Sequence, residues 1–151
     1  MKRIVVAMIG MLATLSSPAF AAGERGTADE AVALVKKVIT TMKAEGKDKV
    51  YAAINAKDPR FIDRDLYVFA YDMDANCLAH GANAKMVGRN TIDTQDTDGK
   101  YYIKERMELG KAKESFWQDY KFPNPVTKMI EPKSAYCEKA DANLICVGIY
   151  K

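Results

Sequence analysis

Among 151 residues the chain has one histidine and three cysteines, and these scarcities weigh against several classes of chemistry. With His80 as the only histidine and no nucleophile in a recognisable motif beside it, there is no basis for acid–base or nucleophilic catalysis there. A zinc site on Cys77-x-x-His80 would have to consume all the cysteines, and the chain has no second close ligand pair. The c-type haem signature fails for want of another cysteine before the histidine. Charge of one sign is also missing: 23 Lys and Arg stand against 20 Asp and Glu, which argues against nucleic acid or an anionic membrane as the partner. No segment repeats, and none is of low complexity.

Apolar runs are scarce beyond the start. Lys2 and Arg3 precede an apolar stretch from Ile4 to Leu15, followed by Ala19-Phe20-Ala21. That stretch is about a dozen residues, against the roughly 20 needed to span a bilayer. It is laid out as a secretory signal peptide covering residues 1–21. The expected product is one soluble domain over residues 22–151, outside the cytoplasm, which in a bacterium is the periplasm. Losing Lys2 and Arg3 with the leader brings the charge closer to neutral. An oxidising compartment permits disulfides, but an odd cysteine count leaves at least one thiol unpaired.

Periodicity supplies the elements. Thr27 and Glu30 form a capping box ahead of Ala31, Leu34, Val35, Val38, Ile39 and Met42 at helical spacing, with Gly46 as the stop. A shorter helix is expected over 47–56. Leu66 to Tyr71 is apolar on both alternating faces, with Tyr67, Phe69 and Tyr71 on one and Leu66, Val68 and Ala70 on the other, so that strand needs cover on both sides. Cys77 to His80 pairs back on it across a turn. A helix capped near Asp98 and ending at Gly110 comes next, then strands over "SFWQDYKF", "KSAYCEK" and "NLICVGIYK". The order implies an α+β domain with five antiparallel strands.

Asp72, Asp74 and Asn76 open like a calcium loop, yet Cys77 and Asn83 stand where the loop needs its glycine and its glutamate. The segment from Asp96 to Lys100 fails similarly, so both read as turns stabilised by Asp and Asn side chains. Cys137 and Cys146 are equidistant from a turn centred near Asp141-Ala142. They face each other if the hairpin pairs about that centre, giving a disulfide; two separate thiols are the alternative. Cys77 is then the unpaired thiol, pointing away from His80 on a regular strand.

"DLYVFAYDMDANCLAHG", "MVGRN", "DTDGKYYIKE", "FWQDYKFPNPVTKMIEPKSAY" and the closing "VGIYK" together resemble the single Cache domain, the extracytoplasmic sensor module of bacterial chemoreceptors and sensor kinases. The resemblance covers about residues 28–151. It implies a PAS-like five-stranded antiparallel sheet with a long N-terminal helix, and a pocket for a short organic acid. It also implies a membrane receptor or kinase as partner, since a free-standing domain has no signalling output of its own. No cofactor or metal and no enzymatic activity is implied.

A carboxylate pocket needs cations or N–H and O–H donors inside aromatic walls. The candidates are Tyr120, Lys133 and Tyr136 as contacts, with Trp117 and His80 as walls or donors, and Arg89 and Arg106 as alternative anion partners. Lys133 and Tyr136 are three residues apart, so a regular strand sends them to opposite faces. A protein-interaction adaptor with its pocket filled by its own side chains is the rival expectation, and a metal or redox protein using the cysteines and His80 is a third.

Overall fold

The structure, a computed structural model, describes residues 24–151; the expected signal peptide lies outside them. Helices α1 (Ala28–Glu45) and α2 (Lys47–Asn55) lead into β1 (Ile62–Asp63), β2 (Leu66–Asp72) and β3 (Cys77–His80). A long excursion carries α3 (Tyr102–Ala112), and β4 (Ser115–Pro123), β5 (Ile130–Ala140) and β6 (Asn143–Tyr150) close the chain. The sheet runs β1-β2-β6-β5-β4, with β3 also paired to β2, and all its pairings are antiparallel. The five expected strands are present, and two-residue β1 adds to one edge.

Helix α1 begins where the capping box requires. Glu30 N–H donates to Thr27 Oγ1 and Thr27 N–H donates to Glu30 Oε2, satisfying two otherwise orphaned donors. Its buried stripe of Ala31, Val35, Val38 and Met42 packs with Val50, Tyr51 and Ile54 of α2 on Leu66, Val68, Ala70, Ile145 and Val147. Each large apolar side chain fully buried there contributes about 1.5–3 kcal/mol, so packing holds α1 more than helix propensity does. The opposite sheet face carries Tyr67, Phe69, Tyr71, Leu144 and Tyr150 beneath α3 and the excursion. The double-sided strand is thus covered on both sides, as its composition requires.

Two boundaries differ from the sequence reading. Tyr101, not Asp98, precedes α3, and no side chain caps it; Asp98 instead accepts from Lys121 Nζ at the edge of β4. The helix also runs through Gly110 to Ala112. Gly110 is a contact point: an added Cβ would lie 2.8 Å from Leu144 Cδ1, so the missing side chain lets the helix approach the sheet.

Cys137 and Cys146 pair directly across β5 and β6 and form a disulfide. Asp72 acts as a turn residue: its Oδ1 accepts the N–H groups of Asp74 and Asn76, and its Oδ2 accepts from Asn76 Nδ2.

Candidate functional site: an aromatic cage holding two cations

Strand register lays out the excursion-covered face in rows. Tyr120, Lys133 and Tyr150 are neighbours across β4, β5 and β6; the next row is Gln118, Ala135 and Gly148; the next is Phe116, Cys137, Cys146, Phe69 and His80. Ala135 and Gly148 make the middle row low, and larger side chains lean into the space. Lys133 is the chief of these, since a Cβ on Gly148 would fall inside its aliphatic stem. Gly148→Ala is therefore expected to cost about 1–3 kcal/mol by overpacking, displacing the flexible lysine rather than unfolding the sheet. Denaturant unfolding compared with ligand titration checks this: a folded variant with binding lost is the expected result.

Lys133 is 1% exposed. Its Nζ donates to Tyr67 Oη at 2.6 Å and lies 4.0 Å from the Tyr67 ring centroid, 4.9 Å from Tyr150, 5.0 Å from Phe69 and 5.2 Å from Phe122. Tyr150 spends its proton on Pro123 O at 2.7 Å, so Tyr67 donates to Tyr150 across 3.2 Å and accepts from Lys133. Burial, then the like charge of Arg106, holds the Lys133 ammonium well below the usual lysine range, while Asp65 pulls the other way.

Arg106, on α3, is also 1% exposed. Its guanidinium carbon lies 5.0 Å from the Phe69 and Tyr120 centroids, 5.4 Å from Tyr71 and 5.5 Å from Tyr102. Nε donates to Gln118 Oε1 at 3.0 Å, and Gln118 is oriented by donating to Tyr102 O and Glu105 Oε2. Buried Nη2 has no hydrogen-bond partner. Among the described residues neither Arg106 nor Lys133 makes an ion pair. Two cations therefore look onto the shared rings of Phe69 and Tyr120 without a carboxylate between them, and buried charge in that condition is costly.

His80 completes the cage, stacked at 5.7 Å on Phe69 and tilted against Tyr67 at 5.2 Å and Phe122 at 5.9 Å. Its Nδ1 accepts from the backbone N–H groups of Ala82 and Asn83, which leaves the proton on Nε2. Burial first, then Lys133 and Arg106, push it down to about 3, so the imidazole is neutral. A bulge between Ala70 and Tyr71 in the β2–β3 register adds a residue to β3. That corrects the alternation expected from sequence: Cys77 packs in the same cluster as the rings that hold His80. Burial raises the Cys77 thiol to about 11, so it stays protonated.

Of the candidates, the structure brings together Tyr120, Lys133 and His80. Tyr136 and Trp117 are cross-strand partners on the other face, their rings 5.4 Å apart. Tyr136 donates to Glu138 Oε2, and Trp117 is 40% exposed. Strand β5 pairs without a shift from Lys133 to Ala140, so the three-residue offset separates Tyr136 from Lys133 as strand geometry demands. Arg89 is exposed. Arg106, only an alternative in the sequence reading, is central, and Tyr102 and Tyr150 passed unnoticed there; a tyrosine four residues before an arginine, and another at the end of the last strand, are too common to signal a cage.

The excursion seals the cage and is latched to β4. Asp96 accepts from the N–H groups of Asp98, Lys100 and Lys121, and Lys100 Nζ donates to Asp119 O. Tyr102 and Phe122 also line a surface depression of about 180 Å³ with Thr94 and Ile130.

The profile of the single Cache domain 2 family matches residues 19–149. A sensor histidine kinase, MctS of Rhizobium johnstonii, is 32% identical over 95 residues, covering 63% of this chain and 20% of the kinase; the chain thus spans about a fifth of that relative's length. A methyl-accepting chemotaxis protein from Vibrio parahaemolyticus superposes with a TM-score of 0.69 at 20% identity, covering 81% of this chain and 86% of its own. A Cache chemosensory domain whose structure concerns carboxylic acid recognition superposes with a TM-score of 0.67 at 17% identity, over 81% and 91% of the two chains. With the helix-backed antiparallel sheet, the covered aromatic face and a profile match over nearly its whole length, the chain belongs to the single Cache domain 2 family of sensory ligand-binding domains.

Proposed function

We propose that the cage binds a short organic carboxylate, one oxygen toward Arg106 and the other toward Lys133, with the acid's apolar part against Phe69, Tyr120 and Phe122. The observation that carries this reading is the pair of buried cations facing shared aromatic rings with no ion-pair partner among the described residues. A carboxylate there satisfies Arg106 Nη2 and relieves the mutual repulsion of the two cations, in surroundings that strengthen both bonds. The related domain solved for carboxylic acid recognition supports the ligand class. The domain acts by binding rather than catalysis, in the periplasm, and passes occupancy to a membrane receptor or kinase; the leader-like N-terminus and the disulfide support that location.

A thermal-shift screen of short organic acids tests it. An acid at a hundredfold excess over its Kd stabilises by about 2.7 kcal/mol, which is a rise in Tm on the order of 10 °C for a domain this size. The second reading, an adaptor whose pocket is filled by its own side chains, draws on the close packing of Lys133 against its neighbouring rings. No shift with any acid decides for the adaptor.

A further inference from the structure

The turn between β4 and β5 leaves its apolar side chains in solvent. Val126 is 55% exposed, Met129 64% and Ile130 53%, and they are three of the five large apolar side chains so exposed among the described residues. Scattered singly they would need no account, but gathered in one turn they form a patch. The turn is also tightly built. Buried Asn124 accepts the N–H groups of Val126 and Thr127 on Oδ1 and donates through Nδ2 to Glu131 Oε2, while its backbone bonds to Met129 O and Lys128 N–H. Thr127 Oγ1 donates to Glu131 Oε1 at 2.7 Å. The apolar groups are thus held outward on a preorganised scaffold, which lowers the ordering cost of docking.

Val126 and Thr127 also border a cleft of about 160 Å³ with Glu24, Arg25, Arg64 and Asp65. Both arginines are already committed, Arg25 to Glu131 at 2.9 Å and Arg64 to Glu30 and Asp63 at 2.7 Å each. The charges left over in the lining are Glu24 and Asp65, neither in an ion pair among the described residues. Asp65 is 3% exposed; Gly26 N–H donates to its Oδ1 at 2.8 Å, while buried Oδ2 has no hydrogen-bond partner among those residues. A buried carboxylate oxygen in that condition is costly and calls for a donor. Its complement is a cation on an apolar stem, the form of a lysine or arginine side chain. The apolar patch alongside gives a footing to the residues that flank such a side chain, so a polypeptide rather than a free amine fits both features.

Resting on the reading of a domain that reports to a partner, we infer that the β4–β5 turn and the Asp65 cleft form a docking surface for a protein segment presenting a lysine or arginine flanked by apolar residues. Peptides selected from a random displayed library on the purified protein, then synthesised and titrated calorimetrically, test this. The selected sequences are expected to share a basic residue beside apolar ones. Exchanging that residue for glutamine should weaken binding tenfold or more, and so should Met129→Ser or Asp65→Asn in the protein. Met129→Ser changes an exposed side chain and decides alone where Asp65→Asn does not fold. Selected peptides without a basic residue, a library that yields no binder, or an affinity indifferent to Met129→Ser or to a folded Asp65→Asn overturns the inference. So does sedimentation showing a dimer of the free protein that Met129→Ser dissociates, which gives the surface to a second copy. Binding to vesicles of anionic phospholipid that the same variant abolishes gives it to a membrane instead and overturns the inference too. The cage is tested separately: Met129→Ser should keep the thermal shift produced by short acids, and a protein that binds the peptides while no acid shifts it loses the carboxylate reading alone.

Discussion

Replacing Lys133 with methionine is expected to raise the Tm of the ligand-free protein by several degrees and to abolish acid binding. Methionine has nearly the same length and flexibility and suits a cage of aromatic rings. The wild-type ammonium sits there at 1% exposure without an ion pair, and exchanging such buried charge for a well-packed apolar side chain is typically neutral or stabilising by about 1–4 kcal/mol. The loss is small, because Tyr67 keeps its own bond to Tyr150 and gives up only one donor. Binding suffers far more: the acid would be desolvated against one cation rather than two, and a deficit of about 2.7 kcal/mol is a hundredfold in Kd. Thermal denaturation and acid titration of the two proteins check both halves. A lower Tm with affinity retained would mean that Lys133 serves the fold and that the ligand sits elsewhere.

The second large effect is in pH. His80 is held down to about 3 by burial and by its two cationic neighbours, against an ordinary value near 6.5. Below that value the unfolded chain takes up a proton that the folded protein refuses. The stability due to the neutral ring is thus fully present above about pH 6.5 and is lost as pH falls toward 3, at about 1.4 kcal/mol per unit. Lys133, also depressed, works in the same direction at higher pH. The buried tyrosines Tyr67 and Tyr102 are raised by burial, so the stability they confer is present below about pH 10 and lost above it. Urea unfolding between pH 4 and 7 measures the acid limb. His80→Asn does not titrate and can still accept a backbone N–H through Oδ1, so its stability should fall less steeply over that range by about 1.4 kcal/mol per unit. Parallel slopes in the two proteins would refute a buried neutral histidine.

Local chemistry made much of the fold legible. The reciprocal side-chain and backbone bonds of Thr27 and Glu30 need only residues three apart, so α1 starts where the sequence places it. Leu66 to Tyr71 is apolar at every position, and only a strand covered on both faces satisfies that. Cys137 and Cys146 are equidistant from the turn, which made their pairing a matter of register. The limits of α3 were harder to read, because Gly110 serves as a contact with Leu144 and not as a stop, and Leu144 is far along the chain.

The site was legible only in part, for a physical reason. Lys133, Tyr120 and His80 could be nominated by residue type, but residue type cannot assign a face: Tyr136 was nominated on the same grounds and lies on the other side of β5 with Trp117. The bulge that turns Cys77 and His80 to one face depends on how β3 pairs with β2. Arg106 in isolation is an ordinary cation in an amphipathic helix, and it becomes central because α3 crosses the rows holding Phe69 and Tyr120.

By itself, then, the sequence determined the starts of α1 and α2, the double-sided strand and the disulfide register, since each rests on spacing along one or two adjoining segments, while the resemblance of its motifs over residues 28–151 pointed to the family. The tertiary structure alone decided that a lysine from β5, an arginine from α3 and a histidine from β3 would meet over one row of rings. That meeting depends on sheet order, on a one-residue bulge and on the absent side chain of Gly148, through which segments distant in the chain come to share one low-dielectric space.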